Sequence, residues 1–339
     1  MNTESNHQSL MQKYATSEVM AKLGNIKTSN GFTVFDAVRS GKENPDSSVG
    51  VYAGNEESYS LFASLFNPII QEYHDYDVAG QHKTDLNPEH LTADSLDSEG
   101  RHIVSTRIRV GRNLKGFAFA PAISRQDRRL VESKIVTALN NLTGDLKGSY
   151  YPLENMDEET RVKLVADHFL FKKGDRFLES AGANRDWPEA RGIFHSADKR
   201  FLVWVNEEDQ LRIISMQSGG GLQEVFTRLA RAISSLEKEL AFASTDNLGH
   251  LSSCPTNLGT AMRASVHIKL PKLAKTEDAL KKICTPLKLS VRGIDGEHSE
   301  SKGGIYDISN KQRLGISEVE AVNILARGVR ELIALEQSA

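Results

Sequence analysis

The sequence predicts an α+β protein in two unequal parts. A small all-α N-terminal domain covers residues 1–85, a linker covers 86–100, and a larger domain over 101–339 is built on a largely antiparallel sheet flanked by helices. Three observations carry this. Up to residue 76 the apolar residues recur at helical spacing. From residue 101 onward, alternating β-branched stretches are interleaved with long amphipathic ones. Two of the alternating stretches, FLVWV (201–205) and LRIISM (211–216), are joined by NEEDQ, too short for a parallel crossover and suited to a hairpin.

In the N-terminal part, Thr16 or Ser17 can cap the helix SEVMAKL, and Gly24 can end it. TVFDAVRSG (33–41) reads as a second short helix ending at Gly41, and ENPDSSVGVYAG (43–54) is a loop by composition. Asn55, followed by Glu56 and Glu57, is placed to cap a third helix. On it Tyr59, Phe62, Leu65, Phe66, Ile69, Ile70 and Tyr73 form a stripe that predicts a helix–helix core, and Pro68 should kink or interrupt it. Residues 77–100 show no sustained periodicity. Beyond them HIVSTRIRV (102–110), RASVHIKL (263–270) and LKLSVRGI (287–294) read as further strands. Residues 124–139, 221–240 and 317–336 read as amphipathic helices.

Composition excludes several function classes. The chain has 339 residues, 39% hydrophobic and 26% charged, ordinary for a globular protein with a sizeable core. A net charge of −3 gives no basic excess for nucleic acid or an anionic membrane. No segment reaches the run of about 18 apolar residues that a membrane span requires, and the start, MNTESNHQSLMQKY, lacks the apolar core of a secretion signal. The two cysteines, Cys254 and Cys284, form neither a CxxC nor a disulfide framework, so free thiols in a reducing, cytoplasmic setting are expected.

Arginine placement is the most informative chemical signal. Arg107 and Arg109 lie two apart on one predicted strand and so share a face. Arg212, Arg263 and Arg292 lie on three others. Guanidinium groups gathered on one sheet repel each other unless an anion collects them, and their planar forks suit phosphate oxygens. Surface arginines on unrelated edges are the plain alternative. Neither GxxxxGK[ST] nor GxGxxG occurs, so a phosphate site would rest on arginines and not on a glycine loop. The acids of NEED (206–209) would ordinarily be solvated in a hairpin turn, and Glu297 lies in the polar, glycine-rich stretch RGIDGEHSESKGG (292–304), suited to closing over a site. Cys254 sits in SSCPTNLGT (252–260), where Thr256 and turn N–H groups could favour a thiolate. Two carboxylates and a thiolate would suit a guanidinium substrate.

Several blocks together carry a resemblance. CPTNLGT (254–260), STRIRVGR (105–112), NEED, RASVHIKLPKL (263–273), RGIDGEHSESKGGIYDISNK (292–311), DHFLFKKGDRFL (167–178) and YYPL (150–153) closely resemble the phosphagen kinases, or ATP:guanidino phosphotransferases, in the same order over nearly the whole chain. The resemblance implies an α-helical N-terminal domain for the guanidino substrate and a catalytic domain with an eight-stranded antiparallel sheet. It also implies reversible transfer of the ATP γ-phosphoryl to a guanidino nitrogen, with Mg²⁺ carried by ATP or ADP and no protein side chain as metal ligand. Carried over by motif, Arg107, Arg109, Arg212, Arg263 and Arg292 would hold the nucleotide phosphates, with His168 and His267 beside the nucleotide. Glu208 and Glu297 would clamp the guanidinium, either able to serve as base, and Cys254 would contact it as a thiolate tuned by Thr256.

The loop DSSVGVY (46–52) is short, as in arginine kinases, and implies that Ser47, Val49, Gly50 and Tyr52 receive the carboxylate of L-arginine. Ser48 stands where those relatives usually have glycine, which would strain a positive-φ backbone and keeps taurocyamine or lombricine open as the substrate. Tyr73, and an Asp46–Arg176 interdomain ion pair, also fit the arginine enzymes. A non-catalytic nucleotide-binding relative is a further alternative, although the five arginines, Glu208, Glu297 and Cys254 are all present. ATP buffering by a monomer rather than a homodimer is expected, with domain closure over both substrates.

Overall fold

The computed structural model describes residues 8–93, 96–273, 277–293 and 304–339. Its helices are α1 (Leu10–Tyr14), α2 (Ser17–Leu23), α3 (Val34–Glu43), α4 (Glu57–Leu61), α5 (Ala63–His74), α6 (Arg125–Asn140), α7 (Glu158–Ala166), α8 (Arg176–Ala181), α9 (Leu222–Leu236), α10 (Glu277–Cys284) and α11 (Glu318–Ser338). Its strands are β1 (Ile103–Arg112), β2 (Gly148–Pro152), β3 (Gly192–Ser196), β4 (Phe201–Val205), β5 (Leu211–Ser218), β6 (Ser244–Thr245), β7 (Gly249–His250), β8 (Met262–Lys269), β9 (Leu289–Arg292) and β10 (Ile305–Asn310). The small helices α1 to α5 pack together, and the rest is organised on one eight-stranded sheet, ordered β2-β3-β4-β5-β1-β8-β10-β9, in which every pairing is antiparallel. This is the predicted α+β architecture.

Helix starts follow their caps. Thr16, Thr33, Ser124 and Ser317 each accept a bond from a first-turn backbone N–H, and Thr33 with Asp36 and Ser317 with Glu320 complete reciprocal capping boxes. Two expectations are corrected. The stripe helix breaks at Phe62 (φ −104°, ψ 27°), between α4 and α5, and continues through Pro68, six residues later. Proline removes one helix hydrogen bond, and packing of the stripe outweighs that loss: Phe62, Leu65, Phe66, Ile69 and Ile70 are fully buried. Tyr73, expected in that core, is 45% exposed and lines the cleft beside Arg263, Arg292 and Arg313. Five strands were not anticipated: β2, β3 and β10, which are short and carry Gly, Pro or Asp, and the two-residue β6 and β7.

The sheet has one face for packing and one for chemistry. Ile108, Val110, Val203, Val205, Leu211, Ile213, Ala264, Val266 and Ile308 join the main core with residues of α6, α9 and α11. The alternate positions point the other way. The helical domain has a core that is not its own alone. Phe119, Ala243, Leu248, Leu251, Leu258 and Leu314, all from beyond residue 100, complete the cluster built by Val34, Val38, Phe62, Phe66 and Ile70.

Gly41 does not end its helix. It lies inside α3, which runs on to Glu43, and its amide donates to the Gly50 carbonyl at 3.1 Å. A side chain there would bring its Cβ within 2.8 Å of Gly50 Cα and 2.9 Å of Met11 Cε. Glycine is required so that the 46–52 loop can lie directly on the helix. The Gly41→Ala variant is therefore expected to lose roughly 1–3 kcal/mol by overpacking, measured by urea unfolding. Wild-type stability in that variant would contradict this close approach.

Candidate active site

Register brings the predicted strand arginines together. Arg109 on β1 lies opposite Arg263 on β8 and Ile214 on β5, and Arg212 is two residues before Ile214 on the same face. Asp307 on β10 faces both His267 on β8 and Arg292 on β9. Trp204 on β4 faces Arg212. Directly paired residues share a face, so Arg107, Arg109, Arg212, Arg263, Arg292, His267, Asp307 and Trp204 all lie on the side away from the main core.

The repulsion among these cations is visible in their electrostatics. Burial lowers Arg107 to about 10, with Arg263 and Arg212 adding to the effect, and Arg109 is pushed well down by burial and by Arg212, Arg107 and Arg263. Acids and an aromatic ring offset it. Arg212 donates through Nη2 to Glu208 Oε2 at 2.6 Å, its Nη1 lies 2.9 Å from Glu207 Oε2, and these carboxylates with Asp209 outweigh burial and hold it above its usual range. Arg263 makes a two-pronged pair with Asp307, at 2.9 and 3.1 Å. Burial raises Asp307, but His267 and Arg263 outweigh it and bring the carboxyl to about 2. Arg107 and Arg212 both sit over the Trp204 ring, 5.5 and 5.7 Å from its centroid.

The acids of the β4–β5 hairpin are not solvated. Asp209 and Gln210 are buried. Asp209 Oδ1 accepts from Asn113 Nδ2 at 2.7 Å and from the Ser253 amide at 2.9 Å, and the Gln210 amide donates to Asn113 Oδ1 at 3.0 Å. Ser253 Oγ donates to the Glu208 carbonyl at 3.0 Å. The hairpin is thus tied to the segment carrying Cys254. Arg109, Glu208, Asp209, Arg212, Arg263, Asn257 and Arg313 wall one cavity.

Cys254 stands at the start of a short turn, with Sγ 3.2 Å from Thr256 Oγ1. Its side chain is buried beside Tyr52, Ala120, Leu178 and Ala183. Burial in the folded chain opposes the expected thiolate. Burial and the Glu208 carboxylate push the thiol up to about 12, against the hydrogen bonds from Thr256 that lower it. Burial is a property of the folded chain that the turn sequence alone could not reveal.

The 46–52 loop reaches this thiol through Tyr52, whose amide donates to the Ala37 carbonyl at 3.0 Å. The carbonyls of Ser48 and Val49 accept from the first amides of α1, and the Ser47 amide donates to Asn44 O at 3.0 Å. The loop's positive φ (78°) is at Gly50, and Ser48 has none, so the anticipated strain at Ser48 is absent. Asp46 pairs with Arg176, one contact at 2.9 Å, on an exposed surface where solvent screening leaves such a pair little weight.

Of the predicted residues, Arg109, Glu208, Arg212 and Arg263 line this cavity, and among the described residues His168 stands apart from it. His168 is exposed after α7 in a left-handed turn (φ 59°). The carbonyl of its neighbour Phe169 accepts from Trp204 Nε1 at 2.7 Å. Glu297 lies outside the described residues. Conversely, Trp204, Asp307, Asn113 and Arg313 were missed. Asp307 had a signal, as the one charged residue of the alternating run IYDISN; Arg313, in coil, had none.

Comparisons with known proteins follow this geometry. The family model described as ATP:guanido phosphotransferase, C-terminal catalytic domain, matches residues 130–339, and the corresponding N-terminal domain model matches residues 5–71. An arginine kinase of Anthopleura japonica is 55% identical over 334 residues, 97% of this chain but 47% of that protein. A probable arginine kinase of Caenorhabditis elegans is 53% identical over 98% of this chain and 93% of that protein. Among solved structures, a lombricine kinase superposes with a TM-score of 0.93 at 39% identity, covering 98% of this chain and 93% of that one. A duplicated taurocyamine kinase from Schistosoma mansoni gives a TM-score of 0.92 at 45% identity, covering 98% of this chain and 48% of that one.

The thiol turn is also held from the helical domain: His74 Nε2, at the end of α5, lies 2.8 Å from the Pro255 carbonyl. Burial lowers His74 from 6.5 to about 4, opposed by that bond and helped by Arg313. A folded-state value below the unfolded one means that the unfolded chain binds the proton first. The stabilisation is complete above pH 6.5 and is lost as pH falls toward 4, by about 2 kcal/mol near pH 4.5. Urea unfolding should show this decline between pH 7 and 4.5, and His74→Gln should remove about that much of it; an unchanged decline in the variant would refute the assignment.

Proposed function

The chain belongs to the ATP:guanido phosphotransferase family, and we propose that within it the protein is an arginine kinase, catalysing reversible Mg·ATP-dependent phosphorylation of L-arginine to phosphoarginine. The observation that carries the reading is the register that gathers Arg107, Arg109, Arg212, Arg263 and Arg292 on one sheet face, against the hairpin carrying Glu208. A nucleotide site of this kind needs no glycine loop, because the guanidinium forks replace its amides.

In-line phosphoryl transfer leaves the protein little covalent work; positioning and charge stabilisation dominate. In this reading the arginines hold the phosphates and spread positive charge around the equatorial oxygens of the transferring group. They exchange the Glu207, Glu208 and Asp307 carboxylates that hold them in the structure for phosphate oxygens. Releasing Glu208 from Arg212 frees a carboxylate to orient the guanidinium and to accept the proton that leaves the attacking nitrogen. Glu297 is assigned the matching clamp. A cationic guanidinium beside Cys254 would favour the thiolate against the burial that opposes it, so ionisation and substrate binding are coupled. Ser47, Val49, Gly50 and Tyr52 are assigned to the carboxylate of arginine, and His168 to the nucleotide.

Mg²⁺ is assigned to the nucleotide's own phosphate oxygens, where it would neutralise charge developing on the leaving ADP. No group of three ligating side chains is found among the described residues. Asp209 Oδ2, buried, without a hydrogen-bond partner and on a residue of the cavity wall, is a hard oxygen fitted to a hydrated Mg²⁺. No described helix is long and apolar enough to cross a membrane; a cytoplasmic, monomeric enzyme is part of the proposal.

The test is ADP release with Mg·ATP against L-arginine, D-arginine, taurocyamine, lombricine, glycocyamine and creatine. Strong turnover on L-arginine is expected. Turnover on taurocyamine or lombricine in its place would overturn the substrate and leave the chemistry standing; silence from folded protein would overturn both. In the same assay Arg263→Ala should lower kcat by about 10²-fold or more, the scale of losing one donor to developing charge. Near-normal turnover would remove Arg263 from the cradle.

A further inference from the structure

The turn that presents Cys254 is gripped at its far end by a residue to which the mechanism above gives no part. Arg313 lies in the coil after β10 and on the cavity wall. Its Nη1 donates to the Thr256 carbonyl at 3.1 Å and also to Asn257 Oδ1. Its backbone is fixed as well: the Thr260 amide donates to the Arg313 carbonyl at 2.9 Å. Gly259 (φ 87°) packs so closely that a Cβ there would lie 2.7 Å from Leu314 Cα.

Arg313 differs in kind from the five strand arginines. They share a sheet face, whereas Arg313 reaches the cavity from coil and spends its Nη1 on the turn's own acceptors. The turn is short, Pro255–Asn257, and Thr256 at its centre is the residue whose hydroxyl stands 3.2 Å from Cys254 Sγ. A contact on the Thr256 carbonyl therefore sets where both Thr256 and the sulfur stand. From the opposite side, His74 holds the Pro255 carbonyl, and Tyr59 donates to the Ser252 carbonyl at 2.7 Å.

We propose that Arg313 is a positioning residue for the guanidino site, locking the Cys254–Asn257 turn through Thr256 and Asn257, and is not a sixth phosphate ligand. The inference deepens the phosphotransferase reading and rests on it for the identity of the substrate. Its structural core, that Arg313 holds the thiol in place, is measurable without turnover.

The experiment compares the wild-type chain with Arg313→Gln and with Asn257→Ala, which loses one of the two contacts Arg313 makes to the turn and leaves the cavity charge intact. Alkylation of Cys254 by iodoacetamide at pH 8 is followed by peptide mass. Burial is the largest cause keeping this thiol protonated. Release of the turn should therefore both expose and acidify it, and both variants should react at least ~5-fold faster. Cys284, fully buried, reports global unfolding; if it too accelerates in Arg313→Gln, the Asn257→Ala result decides. With substrates, the arginine KM should rise about 10-fold while MgADP affinity by calorimetry stays within about 2-fold. The double variant should be no worse than Arg313→Gln alone, because both remove one coupled contact. An unchanged alkylation rate overturns the proposal, as does a large loss of MgADP affinity with normal arginine KM. Absence of any wild-type turnover on arginine would refute the substrate reading and leave the alkylation comparison to decide the role of Arg313.

Discussion

The structure depends on holding several guanidinium groups on one face of a buried sheet before any anion arrives. Left alone, Arg107, Arg109, Arg212 and Arg263 would repel each other in a medium that screens poorly. The solution is local and specific. Glu207 and Glu208 take Arg212, Asp307 takes Arg263, and the face of Trp204 receives Arg107 and Arg212. Each partner holds its arginine in a defined orientation, so the cradle is pre-formed. In the proposed reaction each acid is also a partner that phosphate oxygens would replace. The hairpin that supplies the acids is in turn pinned by Asn113 and Ser253, which explains why so polar a turn is buried.

Much of the cradle was legible because strand geometry is periodic. Arg107 and Arg109 two apart on a β-branched run must share a face, and the hairpin 201–216 was readable from its spacing. The cap at Thr16 was legible for the same reason: the capping contact spans three residues. What was hidden depends on contacts distant in sequence. Arg313 meets Asn257 across 56 residues and Asp209 meets Asn113 across 96, and no local pattern announces either. The burial that opposes a Cys254 thiolate was hidden for a related reason: the turn's donors were visible in the sequence, but the depth of burial was not.

The segment 252–257 is where the two halves of the chain meet. Its carbonyls at Ser252, Ser253 and Pro255 are bonded to Tyr59, the Ala53 amide and His74 of the helical part. Its other groups are bonded to Glu208, Asp209 and Arg313 of the sheet domain. The thiol therefore takes its position from both domains at once. Movement of one against the other must either strain this strap or carry it along.

The shared core has an evolutionary consequence. The helices α1 to α5 close their hydrophobic interior with Phe119, Leu248, Leu251, Leu258 and Leu314 from far along the chain. Neither half is then a self-sufficient building block, however sharply the sequence divides. When such a gene is copied in tandem, the viable repeat is the entire two-part unit, because a copy of either half alone would expose its unfinished interior. The Anthopleura relative and the duplicated Schistosoma kinase, each about twice the span of this chain, have the length that this packing rule anticipates.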